Sequence, residues 1–159
     1  MTEQTKNYFH RMYEESERYD LARAERMKEK EALEDTDDWD AVHQWYEREE
    51  QFKSPFTSGQ MKAYLAYRNS SEIECGDPEM SDSLWEREVK DFSDTLRAAG
   101  VTTFVLTNQS TGLMEDIHNL EAQGWRLVGT CRLAVRSHRF GIEGTEERLG
   151  LRFEIEKEA

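Results

Sequence analysis

Residues 3–34 contain no glycine and no proline and are rich in Glu, Arg, Lys, Met and Ala. Such a stretch has few choices besides a long helix, because these are the residues that lose least on entering one. Phe9, Met12, Tyr13, Tyr19, Ala22 and Met27 give it only a thin, imperfect apolar stripe. Glu14 and Arg18 form a favourable i,i+4 pair, and Glu25 faces Lys28 at i+3. A long helix with so narrow a stripe needs a neighbour to lie against.

Glu34-Asp35-Thr36-Asp37-Asp38 reads as a break, with Thr36 or Asp37 as the N-cap of a second helix. Trp39, Val42, Trp45, Tyr46 and Glu49 follow at spacings of three and four, and the helix is expected to stop near Ser54-Pro55. Residues 58–68 predict a short third helix. Asn69 to Asp82 reads as a loop turning at Gly76-Asp77-Pro78, with room for a brief strand at Glu72–Cys75.

The remainder has a different texture. Ser83-Leu84-Trp85-Glu86 has the form of a capping box, opening a helix that carries Leu84, Val89, Phe92 and Leu96 up to Gly100. Val101–Thr107 is β-branched and reads as a buried strand. Ser110 or Thr111 then caps a helix with Leu113, Ile117 and Leu120, ended by Gly124. Trp125–Val135 and Leu149–Ile155 alternate as strands around a turn at Gly141 and Gly144. The expected fold is α+β: an N-terminal helical arm of two to three helices over residues 1–55, and a compact α/β domain over 56–159. That domain reads as an α-β-α-β-β unit with a small mixed sheet. Its first two strands should be parallel with a right-handed crossover, and its last two an antiparallel hairpin.

Charge separates the halves further. Residues 1–50 carry 16 acidic and 8 basic side chains, and the whole chain has a net charge of −13. That balance opposes direct binding to nucleic acid or an anionic membrane, where the phosphate contribution would be repulsive, and favours a basic protein partner. Plain solubility is the bland alternative. Two cysteines, Cys75 and Cys131, without CxxC spacing fit a reducing compartment. No run of about 18 apolar residues predicts a membrane span, and the polar start MTEQTKNYFHRMYEESERYD lacks a signal peptide's apolar segment. These features place the protein in the cytoplasm.

Strict alternation would put Leu127, Cys131, Leu133 and Val135 on one face of the first hairpin strand and Leu149, Leu151, Phe153 and Ile155 on the matching face of the second. The opposite face would gather Arg126, Arg132, Arg136, Arg148 and Arg152. Three readings follow. The acidic helices cover these arginines internally, each exposed pair adding roughly 0–1 kcal/mol. Or the helices point away and present carboxylates to a basic partner. Or the arginines hold an anion, an option weakened by the net charge and by the lack of interleaved aromatics.

Known chemistry leaves little trace. There is no GxxxxGK[ST] loop, GxGxxG fingerprint, GxSxG elbow or HExxH. Glu115 and His118 make one ExxH spacing where a di-iron bundle needs two. The run Asp35–Asp40 fails as a calcium loop, since Trp39 takes the fifth position, Asp40 the glycine's place and Tyr46 the bidentate glutamate's. Cys75, beside Glu74 and Asp77, has no cationic neighbour in sequence to activate it. No catalytic, cofactor or metal residue is therefore expected, and no cofactor.

Two resemblances bear on function. Leu120-Glu-Ala-Gln-Gly124-Trp125-Arg-Leu-Val-Gly129-Thr130, preceded by a strand and a helix, resembles the C-terminal half of the GNAT acetyltransferases. It implies that topology, while the missing acetyl-CoA loop argues against acetyl transfer. In size, acidity and lack of motifs the chain is similar to small proteins of phages and conjugative elements, including anti-CRISPR inhibitors. The expectation is a non-enzymatic acidic protein that binds and inhibits a basic, nucleic-acid-handling protein such as a CRISPR nuclease. Its contacts would be Glu14, Glu17, Asp35, Asp37, Asp38, Asp40, Glu47 and Glu50, with Trp39 and Trp45 as apolar anchors. The alternative is a degenerate acetyltransferase-like protein that binds a small ligand, and a homodimer through the helical arms is a third option.

Overall fold

The computed structural model describes residues 1–73, 76–108 and 111–156. Helices α1 (Glu3–Asp35), α2 (Trp39–Glu49) and α3 (Ser58–Asn69) are followed by strand β1 (Glu79–Met80), helix α4 (Glu86–Ala98) and strand β2 (Thr103–Leu106). Helix α5 (Leu113–Ala122) and strands β3 (Trp125–Ser137) and β4 (Gly144–Ile155) complete the order. The fold is α+β with an N-terminal helical region and a mixed four-stranded sheet. The chain forms two compact units: residues 1–9 with 57–159, and residues 10–56. Helix α1 thus contributes its first turns to the sheet-bearing unit.

In that unit the strand order is β1-β2-β4-β3. Strand β1 runs parallel to β2, while β2–β4 and β4–β3 are antiparallel. Strands β2 and β3 therefore point the same way, as expected, but β4 lies between them. The hairpin's second strand does what a simple crossover would have left undone: it gives β2 an immediate partner. Helices α4 and α5 cover one face. There Phe104 stacks on Phe153 at 5.3 Å and meets Phe92 and Trp125 edge-on at 5.4 and 4.9 Å, all four rings fully buried. Trp125 Nε1 donates to Ser93 Oγ at 2.7 Å, which satisfies the one polar atom of the ring.

The first turns of α1 and helix α3 extend this core. Thr5 Oγ1 donates to the Ala99 carbonyl at 2.7 Å, and Phe9 stacks on Tyr67 at 4.5 Å. Helix α3 opens with a full capping box between Thr57 and Gln60. It lies so close to α4 at Gly59 that an added Cβ would collide with the Glu88 carbonyl.

A register shift between Leu127 and Gly129 makes a β-bulge in β3. Directly paired residues share a sheet face, so the pairing shows what the extra residue does. Trp125 and Leu127 stand opposite Ile155 and Phe153, on the helix-covered face. Beyond the bulge Cys131, Leu133 and Val135 pair with Gly150, Arg148 and Glu146, on the other face. The single apolar face expected for Leu127, Cys131, Leu133 and Val135 is therefore divided in two. Leu133 and Val135 join Val105 and Ile73 in a second small core. Gly150 makes that core possible, since a Cβ there would lie 2.6 Å from Val105 Cγ1.

The same bulge corrects the arginine cluster. Arg126 (paired with Glu154), Arg148 and Arg152 lie on the second-core face, whereas Arg132 (paired with Leu149) and Arg136 (paired with Thr145) lie on the opposite one. Boundaries differ as well. Helix α4 starts after Trp85 rather than after Ser83, and the reach-back comes from Glu88 to the Trp85 N–H at 3.4 Å. Asp38, not Thr36 or Asp37, caps α2, accepting from Ala41 N at 3.2 Å, and α2 stops at Glu49 ahead of Ser54. Gly112 occupies the N-cap of α5. Ile73 makes an isolated bridge to Val135 where a brief strand was predicted, while Glu74, Cys75 and Ser110 fall outside the described residues.

Candidate interaction surface

In the unit of residues 10–56, α2 lies against α1 through Val42 and Trp45, the latter only 3% exposed. Trp45 Nε1 donates to the Arg26 carbonyl at 3.1 Å. The Arg26 guanidinium sits 4.5 Å from the Phe52 ring centroid and 2.7 Å from Glu49 Oε2. Phe52 in turn stacks on Tyr19 at 5.1 Å, and Arg48 pairs with Glu29 at 3.2 Å. Trp45 is thus a packing residue, which corrects its expected role as an interface anchor.

The other expected contact residues are outside. Glu14, Glu17, Asp35, Asp37, Asp38, Asp40, Glu47 and Glu50 are exposed, and Trp39 is 66% exposed beside three of them. Glu14 meets His10 at 3.2 Å and Glu47 meets His43 at 3.4 Å; Glu17 accepts from the Tyr13 hydroxyl. These contacts are local and solvent-facing, worth about 0–1 kcal/mol each. Asp37 adopts a left-handed conformation, φ 54°, in the turn that sets Asp35, Asp38 and Asp40 around the start of α2. Their charge is also favourable at the positive end of that helix.

Three of the five hairpin arginines find carboxylates within their own unit. Arg132 Nη1 lies 2.7 Å from Glu147, Arg148 Nη1 2.8 Å from Glu79, and Arg152 Nη1 3.8 Å from Asp77. Glu79 is the residue sequence reading missed. It is 1% exposed and also accepts from the Thr107 hydroxyl at 2.8 Å. The only sign of it in the sequence is a glutamate just after Pro78, which reads as loop. Arg126 and Arg136 are exposed.

A second buried charge group lies where α3 meets the starts of α4 and α5. Lys62 Nζ is 2.6 Å from Glu88, itself 4% exposed, and donates to the Ser83 carbonyl at 2.5 Å. Asp116, 6% exposed, lines a cleft of about 480 Å³ with Trp85, Glu86 and Glu115. Loss of water raises the Asp116 carboxyl above its ordinary value, and the neighbouring charge of Glu115 adds to this. The Leu84 N–H and Lys62 oppose it. A carboxyl that holds its proton more tightly when folded contributes stability below the unfolded value near 3.8, and that contribution is lost as pH rises through the folded value. Asp116→Asn is therefore expected to raise the melting temperature at pH 7 and to make no difference below about pH 3.8. Thermal melts from pH 3 to 7 measure this; an equal difference at every pH would contradict it.

Among the described residues no cluster of His, Cys, Asp and Glu has the geometry to hold a metal, and no helix is long and apolar enough to cross a membrane. Residues 62–155 match the family described as a domain of unknown function, DUF7698. The chain belongs to that family. No curated protein and no solved structure matches it. The DUF7698 region contains all four strands, α4 and α5, and with them Lys62, Glu79, Glu88, Asp116 and Arg148. The acidic residues of α1 and α2 precede it.

Proposed function

We propose that this protein is a non-enzymatic inhibitor whose acidic α1–α2 surface binds a basic, nucleic-acid-handling protein, such as a CRISPR nuclease. One observation carries the reading: Glu14, Glu17, Asp35, Asp37, Asp38, Asp40, Glu47 and Glu50 are exposed to solvent, as is Trp39, while Arg132, Arg148 and Arg152 of the hairpin are paired with Glu147, Glu79 and Asp77 of their own unit. The acids of α1 and α2 remain available to another molecule. A row of carboxylates presents to a basic groove the charge that phosphates would bring, so the protein competes with nucleic acid for it. Charge complementarity acts mainly on association rate, and Trp39 supplies the desolvated contact that slows release.

The test uses a panel of CRISPR nucleases, with and without guide RNA, and reads binding kinetics and DNA cleavage. Raising salt from 50 to 300 mM should slow association by roughly tenfold or more, as for other electrostatically steered pairs. Changing Asp35, Asp37, Asp38 and Asp40 together to Asn should do the same at low salt. Trp39→Ala should speed dissociation, costing about 2 kcal/mol. Inhibition should be relieved by excess nucleic acid. Binding indifferent to salt and to the four-residue change would refute the electrostatic reading.

A further inference from the structure

Helix α2 is held far less firmly than the helices of the sheet unit. Its buried side chains are Val42 and Trp45, whereas α4 buries Val89, Phe92 and Leu96 together with Glu88, Ser93 and Thr95. The resistance of a segment to local opening follows the apolar surface it buries, which puts α2 at the low end. The rest of its hold on α1 is polar: Arg26 with Glu49, Arg48 with Glu29, and the Lys30 ammonium 5.1 Å from the Tyr46 ring. Arg48 and Glu29 are about half in water, at 58% and 48% exposed, so their pairing adds little net strength.

Charge works against docking. Residues 29–50, from the last turns of α1 through α2, carry ten carboxylates against the cations Lys30 and Arg48. Folding α2 back along α1 brings these carboxylates closer together, and their mutual repulsion opposes the compact form. At 11 residues, α2 is too short to persist as a helix once it leaves α1. Helix α1 has 33 residues and is anchored near its start through Thr5 and Phe9, so it remains helical. Residues 10–56 also form a compact unit of their own, and the rings around Phe104 belong to the other one.

We propose that α2 is a strap that opens and unravels in the free protein while the sheet unit stays folded, and that a basic segment of a partner closes it. A polycation relieves the repulsion most where the carboxylates are densest, in the closed form. It therefore binds that form better and shifts the population by the difference. Asp38, Asp40, Glu47 and Glu50 hold fixed positions only while α2 is helical, so closure also completes the acidic surface. The partner in this step rests on the function proposed above; the opening of the free chain does not.

Hydrogen exchange read by mass spectrometry on the full chain, with and without decalysine, tests this. Protection factors in α2 are expected to lie at least about tenfold below those in α4. Decalysine should raise them, with a gain in helical circular dichroism, and leave α4 unchanged. Trp45→Ala should remove protection from α2 and leave that of α4 intact. Equal protection of α2 and α4 in the free chain overturns the proposal. So does an α2 that decalysine neither protects nor makes more helical, and so does a Trp45→Ala variant whose α4 loses protection too. A chain whose α2 closes on decalysine but which binds no nuclease refutes the partner reading and upholds the strap.

Discussion

Phe104→Ala should lower the unfolding free energy of the sheet unit by about 3–5 kcal/mol, the range for deleting a buried aromatic ring. Phe104 touches Phe92, Trp125 and Phe153, one ring each from α4, β3 and β4. Its removal therefore leaves a void bordered by three elements that are themselves pinned. Trp125 cannot follow the collapse without abandoning its hydrogen bond to Ser93. Phe104→Leu keeps most of the volume and should cost less than about 1.5 kcal/mol. Denaturant titrations of the three proteins would show this as a falling midpoint at constant slope. A loss below about 1 kcal/mol for the alanine change would mean that the ring cluster is not the centre of the fold.

Arg148→Met should cost about 2–3 kcal/mol, through the carboxylate it deserts rather than through its own contacts. Glu79, 1% exposed, would be left among the described residues with the Thr107 hydroxyl alone to hold its charge. Breaking a buried pair from one side costs about 3–5 kcal/mol when both partners are sequestered. Arg148, with its side chain 36% exposed, lets water make up part of the loss, which lowers the figure. Adding Glu79→Leu to the same chain should restore most of the stability, because the two charges leave together. Stability measured across this double-mutant cycle decides the point. If the double variant were as unstable as Arg148→Met, the damage would lie in lost packing of the arginine stem.

The parts of this fold that sequence declares are those whose cause is local. The absence of breakers from 3 to 34 dictates α1, and Val89, Phe92 and Leu96 dictate the buried side of α4. The β-branched Val101–Thr107 stretch marks β2. What sequence conceals is decided by distant pairing. A two-residue strand at Glu79–Met80 has no period of its own and exists because Val105 and Leu106 supply its partners. The insertion of β4 between β2 and β3 leaves no mark in any window of residues. The bulge is concealed in a third way: Trp125 to Val135 alternates so evenly that only Val128-Gly129, a small break in side-chain size, hints that the count changes there.

Of the interaction surface, the exposed acids of α1 and α2 were legible because charge density needs no tertiary information. The arginines were legible as residues and misplaced as a set, since their faces depend on the bulge. Glu79 and the Lys62–Glu88 pair were illegible because a charged residue reads as surface until its counterion, here 69 and 26 positions away, is known.

The bulge gives β3 two different parities. Upstream, odd-numbered residues look toward the helices; downstream, odd-numbered residues look toward Ile73 and Val105. One extra residue thus acts as a reading-frame change within a single strand, letting one stretch of uniform alternation furnish two separate interiors. Length, and not only identity, is consequently part of the information in this segment. Were the same residues paired one for one without the bulge, Leu133 and Val135 would stand opposite Glu147 and Thr145, on the helix-covered face, and Arg132 and Arg136 would turn toward Ile73 and Val105.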